Sequence, residues 1–145
     1  MARFSAGCLA SAGSTTLPII TIYGNASGWG RIREIGIFNA SDVAVALKLA
    51  RFTTAGTKGA ALTNAKQDPD SAPALCSCFN THTVAPTLGE DLGYRCVLGA
   101  AKGAGVVWTF GESGIEVAVS ATGAVGVIVE NGTGQACQTY IVWDE

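Results

Sequence analysis

The residues that could perform acid–base or nucleophilic chemistry are few in this chain. A Ser-His-Asp or Cys-His site would have to use the one histidine, His82, and no G-x-S-x-G motif accompanies it. The only candidate catalytic residues of a hydrolase are His82 together with Asp68 or Asp70. We therefore predict no catalytic residues and no enzymatic activity, and we interpret His82 as a structural side chain.

Metal-ligating residues are also sparse. Asp68 and Asp70 flank Pro69, and two carboxylates at this spacing can share a calcium ion, although Asp-Pro-Asp is also an ordinary turn. The five cysteines contain no C-x-x-C pair, and small buried packing residues are the simpler interpretation of them. They are Cys8, Cys76, Cys78, Cys96 and Cys137. We predict no metal and no other cofactor.

Three tryptophans could bind a ligand or a partner. Trp108 and Trp143 lie among apolar neighbours, which favours the core or a subunit interface, whereas Trp29 stands between glycines in a predicted loop. Aromatic side chains dominate interface hot spots, so Trp29 is the best candidate for an exposed anchor. A sugar-stacking platform is the alternative.

The overall composition points to an assembly. Only 14% of the 145 residues are charged, against about 25% in a typical soluble domain, and 48% are apolar. A domain of this size cannot bury so much apolar surface alone, so we expect a homo-oligomer.

Nucleic acid and membranes are poor partners for such a chain. The formal net charge is −2 and the basic residues form no run, which disfavours nucleic-acid binding. No stretch approaches the roughly 20 consecutive apolar residues of a membrane helix. The first residues do not resemble a signal peptide, so we expect assembly in a reducing cytoplasm.

The hydrophobic pattern has a period of two almost throughout. In residues 43–52, Val43, Val45, Leu47 and Leu49 alternate with a second set that is small rather than charged. That second set makes a possible interface with Trp29, because small side chains let two chains approach closely. It consists of Ala44, Ala46, Lys48 and Ala50, of which the three alanines Ala44, Ala46 and Ala50 are the candidate contact residues.

Similar segments along the chain predict an all-β fold. About eight short antiparallel strands separated by Gly-rich turns favour one domain over 1–145, a β-sandwich or jelly-roll-like barrel. A long irregular loop is predicted at about 63–87. The turn signals at 120–123 and 131–134 predict that the last three strands form a meander.

Four segments resemble small structural proteins of tailed bacteriophages, and the likeness extends from about residue 3 to residue 145. Within that group the chain is most similar to head decoration, or cement, proteins. The segments are Arg31–Asn39, Leu49–Thr57, Phe79–Thr83 and Tyr140–Glu145.

The resemblance implies a β-rich homo-oligomer, usually a trimer, on the outer surface of the phage head. Its partner would be the major capsid protein, and its function would be to brace neighbouring capsomers. The alternative is a tail or fibre component, or a carbohydrate-binding receptor module.

Overall fold

The computed structural model describes all residues, Met1–Glu145, and they form eleven β-strands and no helix. The strands are β1 (Arg3–Ala10), β2 (Ile20–Tyr23), β3 (Gly30–Asn39), β4 (Val45–Phe52), β5 (Ala65–Lys66), β6 (Ser77–Asn80), β7 (Leu88–Leu98), β8 (Gly105–Thr109), β9 (Ile115–Val117), β10 (Ala124–Asn131) and β11 (Cys137–Asp144). The all-β prediction is confirmed. The predicted number of about eight strands is too low, because it does not include β1, β5 and β6.

The strands form two antiparallel sheets that stack as a sandwich. Sheet A has the order β5-β1-β11-β3-β8, with β9 also paired to β3, and sheet B has the order β6-β2-β10-β4-β7. Each sheet keeps two edge strands, so the sheets do not close into a barrel.

The core lies between the sheets and is built by the alternation read from the sequence. On β4, Val45, Leu47 and Leu49 are buried, whereas Val43 precedes the strand and is 54% exposed. Trp143 is fully buried and stacks on Phe4 with their ring centroids 5.7 Å apart. Burying such large side chains is the main source of stability in a sandwich of this size.

The predicted meander of the last three strands is wrong. β9 pairs with β3 in sheet A, β10 lies between β2 and β4 in sheet B, and β11 returns to sheet A between β1 and β3. The turn after β10 exists, with Gly132 at a φ of +73°. Both turns, however, carry the chain from one sheet to the other, so the strands they join never pair.

The predicted irregular region 63–87 is only partly irregular. It contains β5, which pairs with β1, and β6, which extends sheet B beside β2. Both strands are short and weakly alternating, with four residues or fewer, which is why the sequence pattern does not show them.

Candidate interaction surface

The outer face of sheet B is covered by the chain itself. Five side chains on this face form a second apolar cluster outside the main core: Tyr23, Ala50, Phe52, Ala124 and Ile128. Residues 53–59, which we call the covering segment, pass over part of it, since Ala55 packs on this cluster and Lys58 lies over the Tyr23 ring. The covering segment is held by backbone hydrogen bonds such as Thr53 N to Thr87 O (3.0 Å) and Thr57 N to Val84 O (3.2 Å). Little of this half of the face is left for a partner.

A polar cluster fixes the covering segment to β2. The Tyr23 hydroxyl lies 2.8 Å from His82 Nε2, and both side chains are buried. Lys58 of the covering segment places its Nζ 4.0 Å from the centre of the Tyr23 ring. Burial, followed by the Lys58 charge, lowers the pKa of His82, and burial raises the pKa of Tyr23 to about 12. Neither Asp68 nor Asp70 contacts His82.

The other half of the outer face of sheet B is charged. Asp91 on β7 binds Arg95 (Nη2–Oδ2 2.6 Å) and lies 3.6 Å from Lys48 Nζ on β4, and Arg95 also reaches Glu130 on β10 (2.5 Å). The pKa of Asp91 is lowered, chiefly because its carboxylate accepts the Gly93 N–H. Ala46 lies at one end of this network, next to Lys48 on the same face of β4 and paired with Val97 of β7.

The outer face of sheet A is different, because it stays open and, apart from the ion pairs of Asp144 at one end, carries little charge. The register of β1, β11, β3 and β8 aligns its outward side chains in three rows of four, which we call the bare face. The rows are Leu9, Gln138, Phe38, Gly105; Gly7, Tyr140, Gly36, Val107; and Ser5, Val142, Glu34, Thr109. Leu9 is 55% exposed and Val107 is 44% exposed.

One side chain lies flat across the middle of the bare face. A side chain at Gly36 would collide with the Tyr140 ring, since a Cβ built there lies 2.0 Å from Tyr140 Cε1. Tyr140 donates a hydrogen bond to Glu34 Oε1 at 2.5 Å, which raises the pKa of Tyr140 to about 12. Glu34 is the only charged side chain of the bare face, and its carboxylate is held by Tyr140 rather than free for another partner.

The structure does not bring the predicted interface residues together. Ala50 is fully buried within the second apolar cluster, so it offers no surface to another chain. Ala46 is half-buried beside the charged network, and Ala44 is exposed just before β4. Trp29 precedes β3 and Ala44 follows it, so the two lie at opposite ends of the sandwich.

Trp29 is a partly exposed side chain on an ordered turn. It is 39% exposed, and the Arg31 guanidinium stacks over its ring at 4.9 Å from the centroid. Asn25 fixes the turn by accepting the Ser27 N–H (2.7 Å) and donating to the Leu75 carbonyl (3.1 Å). Trp29 thus remains a candidate contact residue, separate from the bare face.

The candidate metal ligands have other partners. The Asp68 carboxylate accepts the Asp70 N–H at 3.0 Å and caps the turn. No group of three or more His, Cys, Asp or Glu side chains converges in a way that could hold a metal ion. All five cysteines are free thiols, and burial raises the pKa of Cys96 and Cys137 to about 11.

The C-terminal residues form a polar junction that the sequence pattern does not reveal. Arg3 (2.7 Å) and Arg33 (2.6 Å) both bind the buried Asp144, and the hydrogen bond from Arg3 is the main cause of its lowered pKa. The Glu145 side chain accepts the N–H groups of Leu75 and Cys76. This junction ties β1, β3 and β11 together beside the bare face, but nothing in local spacing pairs residues so far apart in the chain.

Comparisons with known proteins identify no relative of this chain. No protein-family model matches the chain, and no curated protein and no solved structure is significantly similar to it. The structure contains no helix long and apolar enough to cross a membrane.

Proposed function

We propose that this protein is a structural component of a bacteriophage head, a decoration or cement protein that binds the outer surface of the capsid. The observation that carries the proposal is the bare face, a nearly neutral sheet surface that the chain leaves uncovered. Low charge limits the cost of removing a broad surface from water, which suits a binding protein with no reaction to perform.

The order of the strands supports a jelly-roll topology, which is common among viral capsid proteins. Two four-stranded sheets, β1-β11-β3-β8 and β2-β10-β4-β7, take consecutive strands alternately from one sheet and the other up to β4. The strands β7 and β8 then lie at the same edge of the sandwich, as two nested Greek keys require. In this scheme β5, β6 and β9 are additions to the eight-stranded jelly roll.

The proposed mechanism is the sum of many modest contacts. Each copy would bind the major capsid protein and link capsomers that internal pressure pulls apart. A homo-oligomer, with a trimer as the form implied by the family resemblance, would make release rare even where single contacts are weak. Such a role needs neither a catalytic residue nor a cofactor.

The copy number of the chain in purified virions of the encoding phage tests this proposal directly. Quantitative mass spectrometry should find it in amounts comparable with the major capsid protein. Absence from the virion, or only a handful of copies, would overturn the proposal. Between three and a few dozen copies would place the chain in the tail or a fibre instead.

A second candidate function is a carbohydrate-binding receptor module, and the exposure of Trp29 beside Arg31 favours it. An aromatic ring held on an ordered turn can stack on a sugar. Glycan-array binding that is lost in Trp29→Ala would support this function. Equal binding by the wild type and Trp29→Ala would remove it, and Trp108 is unsuitable as a control because it is buried.

A further inference from the structure

We propose that the free edge of β8 is a contact between two copies of this chain, which pair their β8 strands antiparallel about a two-fold axis. The pairing would join the two sheets A into one continuous sheet. It goes beyond the proposed function, because it is a property of the purified protein and needs no capsid.

The backbone of β8 has hydrogen-bonding groups available for such pairing. Phe110 N donates to Arg33 O (3.0 Å) and Asn39 N donates to Ala104 O (2.7 Å), so the even-numbered residues of this segment bond to β3. In an antiparallel pair the intervening residues direct their N–H and C=O groups to the other side. Gly105, Val107 and Thr109 therefore face an edge where no strand of the chain pairs with them.

This edge is complementary to itself. An antiparallel pair centred on Val107 sets Val107 opposite Val107 of the second copy and Gly105 opposite Thr109. The three residues of each copy then supply about six inter-chain hydrogen bonds, since each gives one N–H and one C=O. Such a contact is isologous and closes after two copies.

The charges beside β8 favour the same register. Lys102 and Glu112 lie in the turns before and after β8, five residues on either side of Val107, so the pairing brings the Lys102 turn of each copy to the same end of the contact as the Glu112 turn of the other. Both side chains are exposed, and neither forms an ion pair within the chain. Opposite charges would meet twice across the two-fold axis.

The other long edge strand is protected against pairing, and β8 is not. β7 carries Glu90, Asp91 and Arg95, and its register with β4 is interrupted twice by bulges. Charges and bulges are the usual devices that prevent edge-to-edge association. β8 contains no charged residue, no proline and no bulge in its pairing with β3.

The contact is small, so we expect a weak dimer that exchanges quickly. Pairing of two five-residue strands is a smaller contact than the roughly 1,200 Å² of standard stable complexes, which places it among weak, transient associations. A trimer around a three-fold axis would have to use a different surface.

Analytical ultracentrifugation of the full chain over a range of concentrations tests the contact. We expect a monomer–dimer equilibrium that Val107→Pro weakens at least about tenfold, because proline removes the central N–H. That N–H faces away from β3, so the substitution spares the intra-chain ladder, and circular dichroism should confirm that the variant is folded. A protein that stays monomeric, or oligomers that folded Val107→Pro leaves unchanged, would overturn the proposal.

A charge swap tests the register without altering β8. Lys102→Glu and Glu112→Lys should each weaken the dimer, since each places two like charges together, and the double variant should restore wild-type association. Both positions are exposed, so these substitutions should leave the fold unchanged. If the double variant is as weak as the singles, or if none differs from the wild type, the two-fold register is wrong. If β8 instead pairs with an extended peptide of another protein, the wild type and all of these variants should be monomeric, and pairing between two copies would be wrong.

Discussion

The outer faces of the two sheets of this sandwich differ in how much of each the chain itself covers. On sheet B, the covering segment buries Tyr23 and Phe52, and a network of charges occupies the remainder. On sheet A, the bare face leaves Leu9 and Val107 exposed, and its single carboxylate is bound to Tyr140. One chain thus covers one sheet and leaves the other open.

This difference shows where some of the unusually many apolar residues of the chain lie. Five of the apolar residues lie outside the main core in the second cluster on sheet B, where Ala55 and Phe79 pack against them. The chain itself therefore supplies part of the cover that we expected from other subunits. The bare face, with Glu34 as its single charged side chain, is the broad open surface that remains for assembly, and the edge of β8 is a second, smaller one.

The largest expected effect separates the two faces by stability. Tyr23→Ala should lower the free energy of unfolding by about 3–5 kcal/mol, because it empties a buried site and removes the partner of His82. The matched variant Tyr140→Ala should cost about 1 kcal/mol, since that ring lies on an open surface. Urea denaturation of both measures the difference.

Equal losses in the two variants would contradict the comparison. They would mean either that the covering segment contributes little to stability or that the Tyr140 ring is as firmly packed as a core residue.

The second prediction separates the faces by binding. Leu9→Glu puts a carboxylate in the bare face and should weaken binding to expanded capsids of the encoding phage at least about tenfold, because burying an unpaired charge is costly. Ala46→Glu, beside the charged network on sheet B, should have little effect. Co-sedimentation of each variant with capsids that lack the protein measures both.

The reverse result would restore the interface predicted from the sequence. If Ala46→Glu abolished binding and Leu9→Glu did not, the small residues of β4 would be the contact and the bare face would be solvent-exposed in the virion. Thermal unfolding of both variants checks that each is folded.

The sequence predicts strands well but not which face of a sheet is left open. The alternation of Val45, Leu47 and Leu49 is a local property of one strand, and it correctly marks the core side of β4. The burial of Ala50 comes from a cluster of side chains that β2, β4 and β10 bring together on the outer face, and the pattern of one strand does not show such a cluster. The predicted interface at Ala50 therefore fails for a reason outside its own strand.

The bare face could not be predicted from the sequence for a related reason. The glycines at positions 7 and 36 are visible, but only the register of four strands aligns them with Tyr140. That register depends on pairings between residues more than 100 positions apart, such as Gly36 with Tyr140. The sequence alternation could have identified the outward residues of each strand, but not their arrangement in rows.

The third prediction concerns the pH dependence of the cover on sheet B. The pKa of His82 is lowered in the folded protein, so below about pH 6.5 the unfolded chain binds the proton more readily than the folded chain does. Stability should be full above that pH and should fall as the pH decreases, by no more than about 1.4 kcal/mol per pH unit for one proton.

The variant His82→Gln isolates this contribution because it cannot titrate. Its free energy of unfolding should depend less steeply on pH between about pH 7 and about pH 5 than that of the wild type. The carboxylates of Asp91 and Asp144, whose pKa values are lowered, act in a more acidic range. Identical pH profiles would show that His82 takes up its proton equally readily in the folded and unfolded protein, which contradicts a lowered pKa in the fold.

The smallest effect is expected from the charges on sheet B. Arg95 contacts Asp91 and Glu130, but it is exposed, and exposed ion pairs are screened by water and salt. Arg95→Ala should therefore shift the thermal midpoint less than Tyr140→Ala does, and high salt should remove what difference remains. Differential scanning calorimetry at low and high ionic strength measures this. A large, salt-resistant loss would show that these charges hold β7 on the sheet. In that case the charged half of sheet B would be part of the structural frame, like the covered half, and its protection of the β7 edge would be a secondary consequence.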